Sequence, residues 1–396
     1  MDNNVLTGYR VLDFGRFIAA PYCGTLLAQM GAEVIRIERP GGSEDRYLAP
    51  ITDKGEGGMY MQVNSDKLGM TLHIAKPEGR KIVKELVATA DVVIANLPPK
   101  TLQALELDYD SLTKIKPDII LAENTTFGSH SPYANKVGFD GVAQAMSGAI
   151  FMSGTPNQPV RTAVPYLDFS SALSSALGIV AALMVRERTG EGQIVSTSLL
   201  GTALMMSNSQ LIEQAVIEAN RVPTGNQGQI AAPADIFPTQ DGHLIIQVVG
   251  PYIFKRWAQL MGEEEKWLND PRFKDDISRG DHSGILNART AEWTSTRTTE
   301  QALAELEAAR VPAGPVLAFQ QTLDHPYVDG LGALKPTEYP GAERAAPIAN
   351  LPFRLSKTAV GMKHRAPTVG EHTNQILHEL GYDNEAITAL RKSGIV

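Results

Sequence analysis

The chain has 396 residues, 43% of them hydrophobic and 20% charged. That ordinary globular balance predicts two domains or one large elaborated domain, with a core that needs no disulfides or structural metal. A net charge of −8 excludes a general nucleic-acid binder, which would carry a basic footprint. One cysteine, Cys23, excludes an internal disulfide and a cysteine-rich zinc site. Its small-residue setting predicts a packed thiol.

Residues 1–15 lack a basic segment followed by an apolar stretch, so a signal peptide is not expected and the cytoplasm is. Arg10–Phe14 reads as a short strand, Ala20–Met30 as a helix closed by Gly31, and Ala32–Glu38 as a second strand. Pro77–Ala90 opens with Pro-Glu and carries Ile82, Val83, Leu86, Val87 and Ala90 on one face, a helix. Asp91–Asn96 and Asp118–Ala122 are further strands. Strands this continuously apolar, separated by helices, predict an α/β, Rossmann-like unit with a parallel sheet covered on both faces. Such sheets bind ligands at the carboxyl ends of their strands, which directs attention to the loops after residues 14, 38, 96 and 122.

A helix is expected from about Ser170 to Arg188. Its apolar stretch Phe169–Val185 has 17 residues and four serines. A span needs ~20 apolar residues, so a core helix is expected and no membrane partner. Gln193–Ser198 reads as a strand and Leu199–Asn220 as one helix. Residues 221–242 have connector composition, Gly242–Val249 is a strand, and 251–310 is mostly helical with Trp257, Trp267 and Trp293. The expected domains are 1–220, a large Rossmann-like part, and 225–330, a smaller α+β domain. Residues 331–396 are expected to form a return linker and the C-terminal part of the large domain.

Several signatures are absent. No G-x-G-x-x-G follows the first strand, and there is no P-loop, H-E-x-x-H, C-x-x-C or G-x-S-x-G. The eight histidines are scattered without metal-ligand spacing, so no metal site is expected. The chemistry falls most simply to a carboxylate.

The stretch Ala32–Gly42 resembles the second-strand signature of the class III CoA-transferases, the CaiB/BaiF family. Further matches follow in order. They are Leu12–Phe14, Pro77–Arg80, Asp91–Asn96, Gly138–Asp140 with Gln144–Gly148, Arg186–Gly190, Asp270–Phe273, Val311–Val316 and Gly370–Thr373. The resemblance covers nearly the whole chain. It implies a Rossmann-like large domain built from both chain ends, a small domain, and two subunits interlocked as a homodimer. It also implies CoA transfer from an acyl-CoA thioester to a small carboxylic acid, with coenzyme A thioester as substrate and no prosthetic group.

By position alone Asp168 is an N-cap before Ser170 and Ser171, held by free backbone N–H groups and the helix dipole. The resemblance makes it the covalent nucleophile, attacking the thioester to give an aspartyl intermediate. The racemase branch places a histidine where this chain has Phe139. Phenylalanine cannot be a general base, although His130 is nearby in sequence. A 2-methylacyl-CoA racemase or epimerase and a non-catalytic CoA-binding protein are the alternatives.

By resemblance Arg39 reaches the nucleotide at the end of a strand, where its guanidinium would pair with phosphate or stack on adenine. Arg46 matches another family position, with an ion pair to Glu44 or Asp45 as the plainer role. Asn96 and Leu97 match an Asn-Phe pair on the pantetheine path, Leu72 a wall position and Lys136 a basic position near the nucleotide. Ala104 stands where relatives often have arginine, with Lys100 as a substitute. Phe17 and Ile18 follow the first strand. Ile18 replaces a glutamine of formyl-CoA transferase, implying a more apolar acceptor pocket. Asp140 reads as an N-cap. Arg161 is either an acceptor contact or a surface residue. Gly225–Gly228 is a shorter version of a glycine-rich covering loop.

Overall fold

The computed structural model describes residues 4–396. Six strands, β1 (Arg10–Asp13), β2 (Glu33–Glu38), β3 (Leu68–Thr71), β4 (Val92–Ala95), β5 (Ile120–Thr125) and β6 (Ile194–Ser198), form one sheet. Its order is β3-β2-β1-β4-β5-β6, and every neighbouring pair is parallel. This is the Rossmann-like order, whose switch point lies between β1 and β4.

Alternate residues feed opposite faces of the sheet. Leu12, Ile35, Val93 and Leu121 pack with Ile82, Leu86 and Val87 of the Pro77–Thr89 helix, and with Ile376, Leu377 and Ile387 from the C-terminal helices. Val11, Val34, Ile94 and Ile120 pack with Cys23, Leu26 and Leu27 of the Ala19–Gln29 helix and with Ala172, Ala176 and Ile179 of the Tyr166–Thr189 helix. Cys23 is wholly buried, and burial pushes its thiol up to about 12, as a packed thiol should be.

The 24-residue helix Tyr166–Thr189 is the one described helix long and apolar enough to cross a membrane. One face is core, as expected. The other leaves Leu173, Leu177 and Met184 exposed at 45%, 72% and 60%.

Several elements differ from the sequence reading. β3 was not expected, because Gly69 and a polar lead-in hide it. Glycine is required there, since a Cβ would meet Pro367 at 2.8 Å. β5 runs on through Asn124 and Thr125. The helix expected over Leu199–Asn220 breaks at Ser207, giving Leu199–Met206 and Asn208–Ile217. Ser207, Asn208 and Ser209 compete with the helix for backbone hydrogen bonds.

The chain forms two compact units. The first is Met1–Ser147, Thr162–Glu213 and Tyr327–Val396, and the second is Gly148–Arg161 with Gln214–Pro326. The second contains an antiparallel sheet, β7 (Ala234–Pro238), β8 (His243–Gln247) and β9 (Ala313–Pro315), over a core with Trp257, Trp267 and Trp293. Its first segment lies well upstream of the composition change near residue 221. In the first unit β10 (Leu334–Thr337) and β11 (Ala346–Ala349) pair antiparallel.

Candidate active site

The loops after β1 and β4 flank the switch point, and buried charges fix them. Asp13 ends β1 and accepts from the Gly15 N–H at 2.7 Å. A Cβ on Gly15 would meet Ala20 at 2.7 Å, so the turn needs glycine. Asn96 accepts from the Arg16 N–H and donates to the Arg16 carbonyl, at 2.9 and 2.7 Å. Phe17 has a φ of 62°, a left-handed conformation that costs about 1–2 kcal/mol outside glycine. Its N–H donates to Asp45 at 3.1 Å, which helps hold it there.

Asp45 is itself anchored by Arg36, at 2.8 Å, and both are buried. Beneath them Lys67 donates to Asp13, to the Pro21 and Val63 carbonyls and to Asn64, all within 2.9 Å. Burial pulls the Lys67 ammonium down to about 8. Burial opposes ionisation of Asp13, but Lys67 and Arg36 prevail and hold it below the usual carboxylate range.

Two cavities open on either side of this loop. The smaller, about 210 Å³, is lined by Phe17, Ile18, Asn96, Asn124, Phe139 and Asp168 among others. The larger, about 340 Å³, is walled by Gly15, Arg39, Leu72, His73 and Thr101. Arg16 and Leu97 line both.

Asp168 lies in the first turn of a helix that begins at Tyr166, four residues earlier than expected. It is therefore not the N-cap. The free N–H groups of that turn do not serve it either. Asp140, on the neighbouring Asp140–Met146 helix, accepts from the Leu167 and Asp168 N–H groups at 2.7 and 3.2 Å and from the Gln144 side chain. Asp140 is not the cap of its own helix, where Phe139 holds that position. It caps the adjacent one. The Asp168 carboxylate, with no hydrogen bond or ion pair among the described residues, is partly buried and faces a second carboxylate. Burial first, and Asp140 second, push it up to about 7.

A fold and a cleft of this kind suit many reactions, and likeness to known proteins narrows the choice. The model of CoA-transferase family III matches residues 6–373. The chain belongs to CoA-transferase family III. A succinyl-CoA–D-citramalate CoA-transferase of Chloroflexus aurantiacus is 32% identical over 395 residues, covering 99% of this chain and 98% of that protein. The human succinyl-CoA:glutarate CoA-transferase is 31% identical over 403 residues, covering 100% and 91%. A CaiB/BaiF family protein from Brucella suis has a solved structure that matches with a TM-score of 0.84 at 30% identity, over 96% of this chain and 100% of that one.

In this family III protein the residues singled out from sequence fall into three groups. Phe17, Ile18, Asn96, Leu97, Lys136 and Asp168 come together around the smaller cavity. Phe17 packs edge-on against Phe139 with ring centroids 5.4 Å apart, and the Lys136 ammonium lies 4.2 Å from the Tyr133 ring centre. Arg39 and Leu72 line the larger cavity with Leu97. Arg39 is exposed, donating to the Gly42 carbonyl at 2.9 Å.

Arg46 is the correction. It is wholly buried, paired with Glu38, and donates to Tyr60 at 2.6 Å and to the Pro367 carbonyl at 3.0 Å. Its partner is neither Glu44, which meets Arg16, nor Asp45, which meets Arg36. A guanidinium so enclosed supports the fold and does not line either cavity. Lys100 and His130 line neither cavity, whereas Thr101 and Leu105 line the larger. Arg161 and Gly225–Gly228 belong to the second compact unit. Sequence reasoning missed Arg16, Asn124, Thr125 and Thr126. The available signal was polar residues continuing an apolar strand at its carboxyl end.

Proposed function

We propose that this chain moves coenzyme A from an acyl thioester to a free carboxylic acid through a covalent adduct on Asp168. The observation that carries the reading is a partly buried carboxylate without a partner among the described residues, lining a cavity at the switch point of a parallel sheet. The acyl-CoA tail lies along Arg39, Leu72 and Leu97, and its thioester reaches Asp168 past Asn96.

A carboxylate oxygen of Asp168 attacks the thioester carbon, the C–S bond breaks, and the CoA thiolate leaves a mixed anhydride. The thiolate then attacks the Asp168 carboxyl carbon and releases the donor acid, giving an aspartyl-CoA thioester. The acceptor carboxylate repeats these steps in reverse. The relatives' names point to succinyl-CoA as donor and to small dicarboxylic or hydroxy acids as acceptors. Arg16 and Lys136 offer positive charge to such an acid at the cavity. A second copy of the chain covers Leu173, Leu177 and Met184, an apolar stripe of the kind that marks a protein contact. Phe139 in the cavity wall disfavours a racemase.

The test is mass spectrometry after incubation with succinyl-CoA and hydroxylamine. A hydroxamate on Asp168, absent from Asp168→Ala, is the expected result. An Asp168→Ala protein that transfers CoA at full rate overturns the assignment. Incubating a chiral 2-methylacyl-CoA in D₂O is expected to leave the α-carbon free of deuterium. A panel of acids identifies the acceptor.

A further inference from the structure

At the carboxyl end of β5 the sheet presents a polar side chain that no described residue satisfies. Asn124 is 2% exposed, and neither its amide nitrogen nor its oxygen has a hydrogen-bond partner among the described residues. An unpaired buried polar group is costly to keep. The residue lines the same cavity as Asp168.

Apart from Asp168 and the charged Lys136, the polar groups nearest to it are committed. Asn96 holds both backbone polar atoms of Arg16. The Thr125 hydroxyl accepts from the Gly128 N–H, and that of Thr126 donates to the Gly138 carbonyl. The Leu167 and Asp168 N–H groups at the helix start belong to Asp140. The helix end that would ordinarily stabilise a new negative charge has already been claimed.

Asn124 is also in the right place. Ile120 and Ala122 of β5 pack with Ala176 and Ala172 in one core cluster. Asn124 is the next residue in that strand row, and Asp168 precedes Ala172 and Ala176 at steps of four on one helix stripe. Two strand residues rise ~6.6 Å and four helical residues ~6 Å, so the two antiparallel rows keep step. Asn124 and Asp168 each continue one of these rows toward the same end, and both line the one cavity.

We propose that Asn124 is a second catalytic residue, its amide N–H donating to the acyl carbonyl oxygen as Asp168 attacks. The proposal rests on the reading of Asp168 as nucleophile. As the new C–O bond forms, the carbonyl π pair moves onto oxygen, and that oxyanion takes the Asn124 hydrogen bond. The pair returns, the C–S bond breaks and the thiolate departs, with no proton leaving Asn124. Removing one pre-aimed donor of this kind slows reaction about 100- to 1000-fold.

The experiment is a single turnover of the wild type and of Asn124→Leu with succinyl-CoA, quenched at intervals and read as acyl-Asp168 by mass. The expected result is acylation slowed about 100- to 1000-fold, with unchanged CoA affinity and an unchanged pH dependence. Acylation by Asn124→Leu at the wild-type rate overturns the proposal and assigns the amide to ordered water. A rate restored by raising the pH also overturns it, because the amide then acts on Asp168 and not on the substrate. If the leucine variant does not fold, Asn124→Ser is compared with Asn124→Ala. The serine, still a donor, must acylate faster, and equal rates refute the idea. No adduct in the wild type refutes the nucleophile reading itself, and with it this one.

Discussion

Asp168→Asn is expected to make the folded protein more stable, and only on the alkaline side. Burial and Asp140 raise the Asp168 carboxyl from 3.8 to about 7. Between those values the folded chain holds a proton that the unfolded chain has released, so native stability falls as pH rises through the window and levels off above it. Three pH units at ~1.4 kcal/mol each set a ceiling of ~4 kcal/mol. Asparagine matches the neutral acid in shape and has no charge to bury. The gain should be near zero at about pH 4, grow through the window, and reach its full size above about pH 7. Calorimetric melting of wild type and variant across that range measures it. A gain that is the same at both ends, or absent at both, refutes the account of Asp168 as an ionisable group held at a cost.

The same carboxyl must be ionised to attack, so kcat/KM for the acyl-CoA should fall about tenfold per unit below about pH 7. Asp140→Asn keeps an acceptor for the Leu167 and Asp168 N–H groups while removing the neighbouring negative charge. Its acid limb should move to lower pH, as a pH–rate profile will record. Lys67→Met leaves Asp13 charged and unpaired in the interior, and should cost about 3–5 kcal/mol in urea unfolding. Arg39→Ala should raise the KM for acyl-CoA without altering the melting temperature, whereas Arg46→Ala should lower the melting temperature, because only Arg46 is locked into the buried pair with Glu38.

The sheet was legible because its central strands are largely apolar on both faces and its helices carry one-sided stripes. Pattern alone located β1, β2, β4, β5 and β6 to within a few residues. β3 escaped because its glycine serves a close approach to Pro367 and not a strand propensity. In the site, Asp168 stood out only through the family resemblance, since an acid before a serine pair looks like a cap. Its true surroundings were invisible. The acid that caps the helix is Asp140, 28 residues earlier, and no local spacing reveals a cap supplied by another helix. Arg46 misled for the opposite reason. Its neighbours in sequence are acidic, but its partner lies at the end of β2, reached only once the strand has been placed. Asn124 was passed over because an amide inside a strand draws notice only when its lack of partners is known.

Arg16 and Leu97 border both cavities, so the two joined turns that carry them are a partition between two rooms. A long thioester reacting in one room while its tail rests in the other must drape across that partition. The tail is then a lever, and its grip holds the reacting end in line instead of merely adding adhesion. Clipping the tail should consequently drain turnover number as well as affinity.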